Sequence, residues 1–278
     1  MNSAGPDSKR GLSVAAWCGI CAFGLGALIF PFSRGLAMLP LAAYLLLCLS
    51  APFFPGFGFF LPIISHGSCD RQGVALTFDD GPDPDSTPEI LALLAKHEVK
   101  ATFFVTGRRA QRYPEIVAAI LSQGHTIGNH SHNHDNFVMC KSARTLRREI
   151  ADAQQIFHRL GVVPLAFRPP VGITNPKLGK VLDQMGMYAL NFSRRAADLG
   201  NRRIAHLARR ILKGVRANDI IMLHDVKPRR AALFQPWLQE VDQIIAGIKA
   251  RDLAILPLAD LIGRPVMVAA GDDPGKPG

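Results

Sequence analysis

The chain has 278 residues, of which 48% are apolar, and it carries a formal net charge of +10 at pH 7. Its length suits one large domain with an appendage. The positive charge does not indicate a nucleic-acid partner, because no aromatic residues interleave with the arginines and no nucleic-acid-binding motif occurs. Cys69 and Cys140, the cysteines outside the apolar N-terminal part, lack CxxC spacing, which argues against a cysteine zinc site or a disulfide framework.

The apolar excess lies in the N-terminal part, in two uncharged stretches at residues 12–30 and 36–65. A helix needs about 20 apolar residues to cross the hydrocarbon core of a bilayer. We therefore predict a cytoplasmic-type tail over residues 1–11 and a membrane anchor over residues 12–65. The anchor has transmembrane segments at 12–30 and 36–50, followed by an aromatic segment in the membrane interface.

Two points about this anchor stay open in the sequence. A cleaved signal peptide is the alternative for residues 12–30, but the run is long for one and a second run follows at once. If both stretches span, the large domain shares a side with the N-terminus, which Lys9 and Arg10 place in the cytoplasm. If the second stretch only lies in the interface, the domain is outside. The predicted location is the inner membrane of a bacterium, and the sequence leaves open on which side the large domain lies.

Beyond the anchor, strand-like runs alternate with amphipathic helical patterns. Residues 74–78 are apolar and rich in strand formers, and a helix is predicted at 87–97. The other predicted strands are 101–105, 125–128, 188–192, 219–223 and 254–257, and the other helices are 114–123, 143–160, 176–185, 204–215 and 236–251. This repeated order predicts an α/β fold with a parallel sheet and right-handed crossovers, closed as a barrel.

Two adjacent carboxylates, Asp79 and Asp80, follow the first strand of this domain, and Gly81 and Pro82 end it. Parallel α/β folds keep their active sites at the carboxyl ends of the strands. Adjacent like charges repel unless a cation lies between them or one holds a proton. We therefore predict a metal on one carboxylate and a base role for the other. A turn that merely uses Asp and Gly is the alternative.

A histidine-rich run at residues 128–134 follows the strand predicted at 125–128. The spacing of His130 and His134 lets two imidazoles converge on one ion, while His132 between them should point away. With one carboxylate they make a set of two nitrogens and one oxygen, which suits Zn²⁺, Co²⁺ or related divalent ions. An incidental histidine-rich loop is the alternative.

Three further polar residues fall at strand ends. Arg168 precedes two prolines and is therefore held rigidly, as suits a partner that positions a carboxylate, although a plain surface loop is the alternative. His224 ends the strand predicted at 219–223, at the same sheet edge as the other motifs. Asp198 lies between these two motifs in the chain.

A basic stretch surrounds Asp198. A solvated helix face or a surface held against anionic lipid headgroups would each explain it. Its members are Arg194, Arg195, Arg202, Arg203, Arg209, Arg210, Lys213 and Arg216.

Taken together, residues 77–82, 128–134, 168–172 and 223–225 resemble the ordered motifs of the polysaccharide deacetylases, which carry the NodB homology domain and form carbohydrate esterase family four. The resemblance covers roughly residues 73–261 and does not cover the apolar segments. It implies a distorted (β/α) barrel and a metal-dependent N-deacetylase. The catalytic domain is accordingly expected over residues 66–265, with a disordered tail at 266–278.

The resemblance implies roles for five residues at the predicted metal site. Asp80, His130 and His134 would hold a divalent ion, with zinc the first expectation and cobalt, nickel or manganese as the others. Asp79 would be the general base that activates water. Arg168 would hold Asp79 in place and keep it ionised.

It also implies roles for five residues around the leaving group. His224 would be the general acid that protonates the departing amine, and Asp198 would pair with it. Leu223 would line the pocket for the acetyl methyl group. The backbone N–H of Val171 would stabilise the oxyanion, with Pro170 beside it in the substrate wall.

The sequence departs from the family pattern at three positions. Val171 stands where members often have tyrosine, and Arg195 and Leu199 stand where members usually carry aspartate and tryptophan. The sugar-facing wall is therefore more basic, which argues against an ordinary chitin-like or peptidoglycan substrate. The predicted anchor and the arginines between residues 194 and 216 together predict a lipid-linked substrate whose phosphate these arginines would bind.

The sequence thus predicts a membrane-bound hydrolase that removes N-acetyl groups from amino sugars of an envelope glycan, with the lipid bilayer as partner and the oligomeric state left open. The alternatives are an O-acetyl esterase or cyclic-amide hydrolase on the same barrel, and a metal-free glycan-binding module.

Overall fold

The computed structural model describes residues 11–68, 70 and 72–272. Nearly all of the predicted N-terminal tail, including Lys9 and Arg10, lies outside these residues, as does the end of the predicted C-terminal tail.

Two apolar helices form a hairpin at the start of the described chain. Helix α1 (Val14–Ile29) and helix α2 (Arg34–Ser50) each begin after a serine whose hydroxyl oxygen accepts a hydrogen bond from the first turn. The helices approach closely, since a Cβ at Gly26 would lie 3.2 Å from the carbonyl oxygen of Ala37. The segment Arg34–Phe53 is long and apolar enough to cross a membrane, with a mean hydropathy of 2.0, while α1 is a shorter apolar helix.

The rest of the described chain alternates strands with helices. The strands are β1 (Ile63–Ile64), β2 (Gly73–Asp79), β3 (Ala101–Val105), β4 (Thr126–Asn129), β5 (Val162–Pro164), β6 (Ala166–Phe167), β7 (Tyr188–Leu190), β8 (Arg194–Arg195), β9 (Ile220–His224), β10 (Ala254–Ile255) and β11 (Met267–Ala269). The helices are α3 (Ser86–Lys96), α4 (Gly107–Arg112), α5 (Pro114–Ser122), α6 (Ala143–Arg159), α7 (Pro176–Gln184), α8 (Leu207–Leu212), α9 (Phe234–Lys249) and α10 (Leu258–Ile262).

The main sheet is parallel throughout its path, in the order β1-β7-β6-β4-β3-β2-β9-β8, and β10 pairs with β2 off this path. This confirms the predicted α/β architecture, a distorted (β/α) barrel. Closure differs from the prediction, because no ladder in the described chain joins β1 to β8. Each of these edge strands is only two residues long, too short to continue the sheet around the barrel.

The predicted disorder from residue 266 is wrong for the described part of that tail. Strand β11 pairs antiparallel with β5, and Val266 is buried. The carbonyl oxygen of Val266 accepts hydrogen bonds from the backbone N–H groups of Leu165 and Ala166. The short apolar run 266–268 covers an edge that β5 leaves free, which the composition of the tail does not indicate.

Strand β2 is the centre of the core and holds the site in place. All seven of its residues are buried, because α3 and α9 cover one face and the barrel interior covers the other. Leu76 and Phe78 face the helices, whereas Thr77 and Asp79 face the interior. The end of β2 is therefore rigid.

Candidate active site

The predicted site residues meet at the carboxyl edge of the parallel sheet. Asp79 and His224 are the last residues of the adjacent strands β2 and β9, and they are register partners. Asp80, His130 and Arg168 each follow directly on a strand, namely β2, β4 and β6. Neighbouring parallel strands end at one edge, so these side chains converge although they are far apart in the chain.

Asp80, His130 and His134 form a cluster whose ligand atoms all lie within 4.8 Å of one another. Asp80 Oδ1 lies 3.4 Å from His130 Nε2 and 3.0 Å from His134 Nε2. These separations are in ion-pair range, yet buried Oδ1 has no hydrogen bond of acceptable geometry. Burial alone would raise the pKa of Asp80, but the two histidines hold it well below its usual value. Two imidazole nitrogens and a carboxylate oxygen without a hydrogen bond fit a divalent metal ion.

The ring of His130 is fixed by the backbone next to Arg168. His130 Nδ1 lies 2.8 Å from the carbonyl oxygen of Arg168, so Nδ1 carries the proton and donates it. This leaves the lone pair of Nε2 facing Asp80. Carbonyl partners commonly fix metal-ligating histidines in this way.

The loop that carries His134 is held by Asn129, which lies inside the histidine-rich motif at 128–134 but has no role assigned from the sequence. Asn129 is fully buried, its Oδ1 accepts from the backbone N–H of Ser131 at 2.8 Å, and its Nδ2 donates to the carbonyl oxygen of Ile150. Ser131 Oγ in turn accepts from the backbone N–H of His134 at 3.2 Å. His132 lies instead against Gly107, outside the cluster.

Asp79 is held by the fully buried guanidinium of Arg168. Arg168 Nη1 donates to Asp79 Oδ1 at 2.6 Å and to Thr77 Oγ1 at 2.8 Å, and Nη2 donates to the carbonyl oxygen of Asn191 at 3.0 Å. The guanidinium carbon also lies 3.9 Å from the ring centroid of Phe104. The carboxylate therefore has one fixed orientation beside Asp80.

His224 is paired with Asp198, which is 2% exposed. His224 Nδ1 lies 2.8 Å from Asp198 Oδ2, so Nδ1–H donates to the carboxylate. Burial alone would lower the pKa of His224, but the hydrogen bond and charge of Asp198, with the charges of Asp80 and Asp79, raise it to about 9. The imidazole is therefore protonated at neutral pH. Asn201 is another buried residue that the sequence did not identify as part of the site. Its Nδ2 donates to the carbonyl oxygen of His224 at 3.0 Å.

The predicted substrate wall needs one correction. Leu223 is 2% exposed and packs under the helices with Leu76 and Trp237, on the opposite face of β9 from His224. Met222 shares the face of His224, because side chains alternate along a strand, and this period of two was available in the sequence. Leu223 therefore faces the helices and not the predicted pocket, whereas Met222 lies on the His224 side of β9.

The other two wall residues lie in the loop after β6. Pro170 is buried, whereas Val171 is 45% exposed and has a φ of 55°. Asn191 supports this loop, since its Nδ2 donates to the carbonyl oxygen of Gly172 at 3.2 Å. Its side chain carried no signal in the sequence.

Asp225 is a buried carboxylate that ties the site to α3. It accepts hydrogen bonds from Ser86 Oγ at 2.7 Å and Thr87 Oγ1 at 2.6 Å, and its backbone N–H donates to the carbonyl oxygen of Asp79. Burial raises the pKa of Asp225 to about 7, although the hydrogen bonds from Thr87 and Ser86 lower it. Its position directly after His224 was the only sequence signal.

Known proteins are similar to this chain in sequence and in fold. Residues 66–190 match the polysaccharide deacetylase family. A peptidoglycan-N-acetylglucosamine deacetylase of Bacillus cereus is 37% identical over 154 residues, 55% of this chain and 72% of the relative. A chitooligosaccharide deacetylase of Azorhizobium caulinodans is 31% identical over 199 residues, 68% of this chain and 94% of the relative. The solved peptidoglycan N-acetylglucosamine deacetylase Bc1960 superposes with a TM-score of 0.67 at 30% identity, over 73% of this chain and 94% of that one.

The parallel α/β sheet and the cluster of two histidines and one aspartate at its carboxyl edge suit a metal-assisted hydrolase. The chain belongs to the polysaccharide deacetylase family, as its motifs predicted. It is thus a hydrolase of carbon–nitrogen bonds other than peptide bonds.

Proposed function

We propose that the protein removes N-acetyl groups from the amino sugars of an envelope glycan, with a divalent metal ion held by Asp80, His130 and His134. The observation that carries this proposal is the placement of two ion pairs beside that cluster. Asp79 is paired with Arg168, and His224 is paired with Asp198. One pair holds a carboxylate, the other a protonated imidazole.

Amide hydrolysis needs both kinds of group. An amide is a poor electrophile with a poor leaving group, so it requires an activated water and a proton for the departing nitrogen. Asp79 accepts the proton from the attacking water, and His224 donates its proton to the amine. A divalent cation supplies Lewis acidity toward the carbonyl and lowers the pKa of water. Zinc suits the ligand set best, and cobalt, nickel and manganese can take the same ligands.

The substrate proposal draws on the relatives and on the wall of the cleft. The relatives are deacetylases of peptidoglycan N-acetylglucosamine and of chitooligosaccharides, which supports an N-acetylated glycan here. The wall around Val171, Arg195 and Leu199 is more basic and less aromatic than the family pattern. This favours an amino sugar whose lipid-linked phosphate meets arginines.

We also propose that residues 12–65 anchor the protein in the inner membrane and that the catalytic domain begins at residue 66. The helical hairpin of α1 and α2 supports the anchor, as does the hydropathy of Arg34–Phe53. Because β11 packs on β5, the domain extends through at least residue 269.

The test is acetate release by the detergent-solubilised full chain from polymeric and lipid-linked amino sugars, with and without a chelator. We expect chelator-sensitive release that is lost in Asp79→Asn and kept in Asp252→Asn, a matched change at an exposed site. Product analysis separates the alternatives, because a free amine marks N-deacetylation and a free alcohol marks an esterase. A protein that binds glycan, holds no metal and releases no acetate would contradict the proposal.

A further inference from the structure

The large exposed hydrophobic side chains of the described catalytic domain lie in loops at one edge of the sheet. Within the described residues beyond Phe57, the exposed large hydrophobic side chains are Phe137, Val171 and Leu199, at 72%, 45% and 57% exposure. They lie in the loops that follow β4, β6 and β8. These loops also carry His134, Arg168 and Asp198, so the exposed apolar surface surrounds the active-site cleft. We call Phe137, Val171 and Leu199 the apolar rim.

The aromatic segment 51–60 lies against the same rim. Asn191 Nδ2 donates to the carbonyl oxygen of Pro55 at 2.7 Å as well as to that of Gly172. A Cβ at Gly172 would lie 3.5 Å from Pro55 Cγ, so the segment contacts the loop that carries Val171. Three of its aromatic side chains point outward, with Phe53 68%, Phe54 60% and Phe57 42% exposed.

This segment also fixes the domain to one end of the helical hairpin. The backbone N–H of Ala15 donates to the carbonyl oxygen of Phe59 at 2.9 Å, and buried Phe59 packs with Ala15 and Ala51. Leu61, two residues on, is buried in the domain core beside Leu178. The start of α1 and the end of α2 are therefore held beside the rim.

The hairpin of α1 and α2 determines where the apolar rim lies relative to a membrane surface. The outward side chains of α1 and α2 are apolar and exposed, among them Trp17 and Leu28. With these helices in a bilayer, the segment 51–60 lies at the interface, where aromatic side chains are favoured. The loop that carries Val171 contacts that segment, so this part of the rim lies at the same interface.

Unpaired arginines accompany the apolar rim. The last residue of β8 and the loops after β8 and β9 expose arginine side chains for which the described residues provide no ion pair. A cationic surface of this kind attracts anionic headgroups. These arginines are Arg195, Arg202, Arg203, Arg229 and Arg230.

We propose that the apolar rim and segment 51–60 form a docking surface for an anionic phospholipid bilayer, so that the active-site cleft opens onto the surface of the membrane that holds the hairpin. The cleft then takes glycan carried at the membrane rather than glycan diffusing freely. Large exposed apolar patches with a basic border are typical of such interfacial surfaces. The inference depends on the proposed anchor and not on the reaction.

Depth-dependent quenching tests this docking directly. The full chain, with Trp17→Phe as background and Trp237 buried, is reconstituted in vesicles of zwitterionic and anionic phospholipid with brominated acyl chains. We expect Phe137→Trp and Leu199→Trp to be quenched severalfold more than Gln123→Trp. Gln123 is exposed and precedes β4, at the opposite edge of the sheet. Equal quenching at the two edges would overturn the proposal.

Two further variants test the arginines and the apolar rim one at a time. The double variant Arg202→Gln, Arg203→Gln should reduce quenching at Phe137→Trp in anionic vesicles only. Unchanged quenching in anionic vesicles would contradict docking to anionic phospholipid. Phe137→Ala should lower turnover of membrane-carried glycan while sparing soluble oligosaccharide. An equal loss on both would make Phe137 a sugar-stacking platform and overturn docking. Quenching needs no substrate. An inactive enzyme would therefore contradict the proposed function, while the quenching experiment would still test membrane docking.

Discussion

Asp79 and His224 end adjacent strands as register partners, and each is hydrogen-bonded to its own buried partner of opposite charge. Arg168 holds the carboxylate, and Asp198 holds the imidazole. The carboxylate of Asp79 and the imidazole of His224 therefore carry opposite charges on adjacent strands, beside the cluster of Asp80, His130 and His134. This relationship gives an acid and a base at one site, which is what hydrolysis of an amide requires.

Replacement of the proposed base tests the first member of the pair. Asp79→Asn keeps the size of the side chain but cannot accept a proton, so kcat should fall by about 10²–10⁴-fold, the usual contribution of general acid–base catalysis. Metal content, measured by mass spectrometry, should stay unchanged because Asp80 carries the ligand oxygen. Wild-type turnover in Asp79→Asn would assign the base to another residue.

The pH profile tests the second member. His224 must be protonated to act, so kcat/KM should fall as the pH rises through the pKa of this imidazole, which lies at about 9. Asp198→Asn removes the charge that raises that pKa, and the alkaline limb should move to lower pH. An alkaline limb in the same place in both proteins would contradict the assignment.

Arg168→Met tests the buried pair through stability. Removing one partner of a buried ion pair leaves Asp79 uncompensated, which typically costs about 3–5 kcal/mol. Chemical unfolding of the detergent-solubilised protein should show a loss of this size. The exposed control Arg195→Met should stay within about 0.5 kcal/mol of wild type. Equal effects for the two variants would show that Arg168 does not stabilise the site.

The stability of the protein should depend on Asp225 in a defined direction. Its pKa is raised from 3.8 to about 7 in the fold, chiefly by burial. The stabilisation it provides is present below pH 3.8 and is lost as the pH rises through 7, because the folded state disfavours the ionised carboxylate. Thermal unfolding should therefore show Asp225→Asn gaining stability relative to wild type between pH 4 and pH 8. A constant difference over that range would contradict this pKa.

Much of the site could be predicted because its residues follow buried strands. The order of strands and helices placed Asp80, His130 and Arg168 at one edge of a parallel sheet, and the structure brings them together there. Strand alternation, applied to β9, would also have placed Met222 and not Leu223 on the His224 side. A motif position alone does not say which face of the strand its residue occupies.

Other features depend on contacts between distant parts of the chain. Asn191 joins Pro55 to Gly172 through its side-chain amide, and no local pattern marks it. The pairing of β11 with β5 likewise joins elements about 100 residues apart, so residues 266–269 were predicted as a tail. Such contacts form only once the sheet is assembled, and local periodicity carries no information about them.

Zinc K-edge X-ray absorption on the purified full chain, with metal content measured alongside, tests the central claim most directly. We predict one divalent ion per chain with nitrogen and oxygen ligands in wild type and in His132→Ala, and loss of that ion in His134→Ala. Sulfur ligation, absence of bound metal, or an ion retained in His134→Ala would contradict a site made by Asp80, His130 and His134.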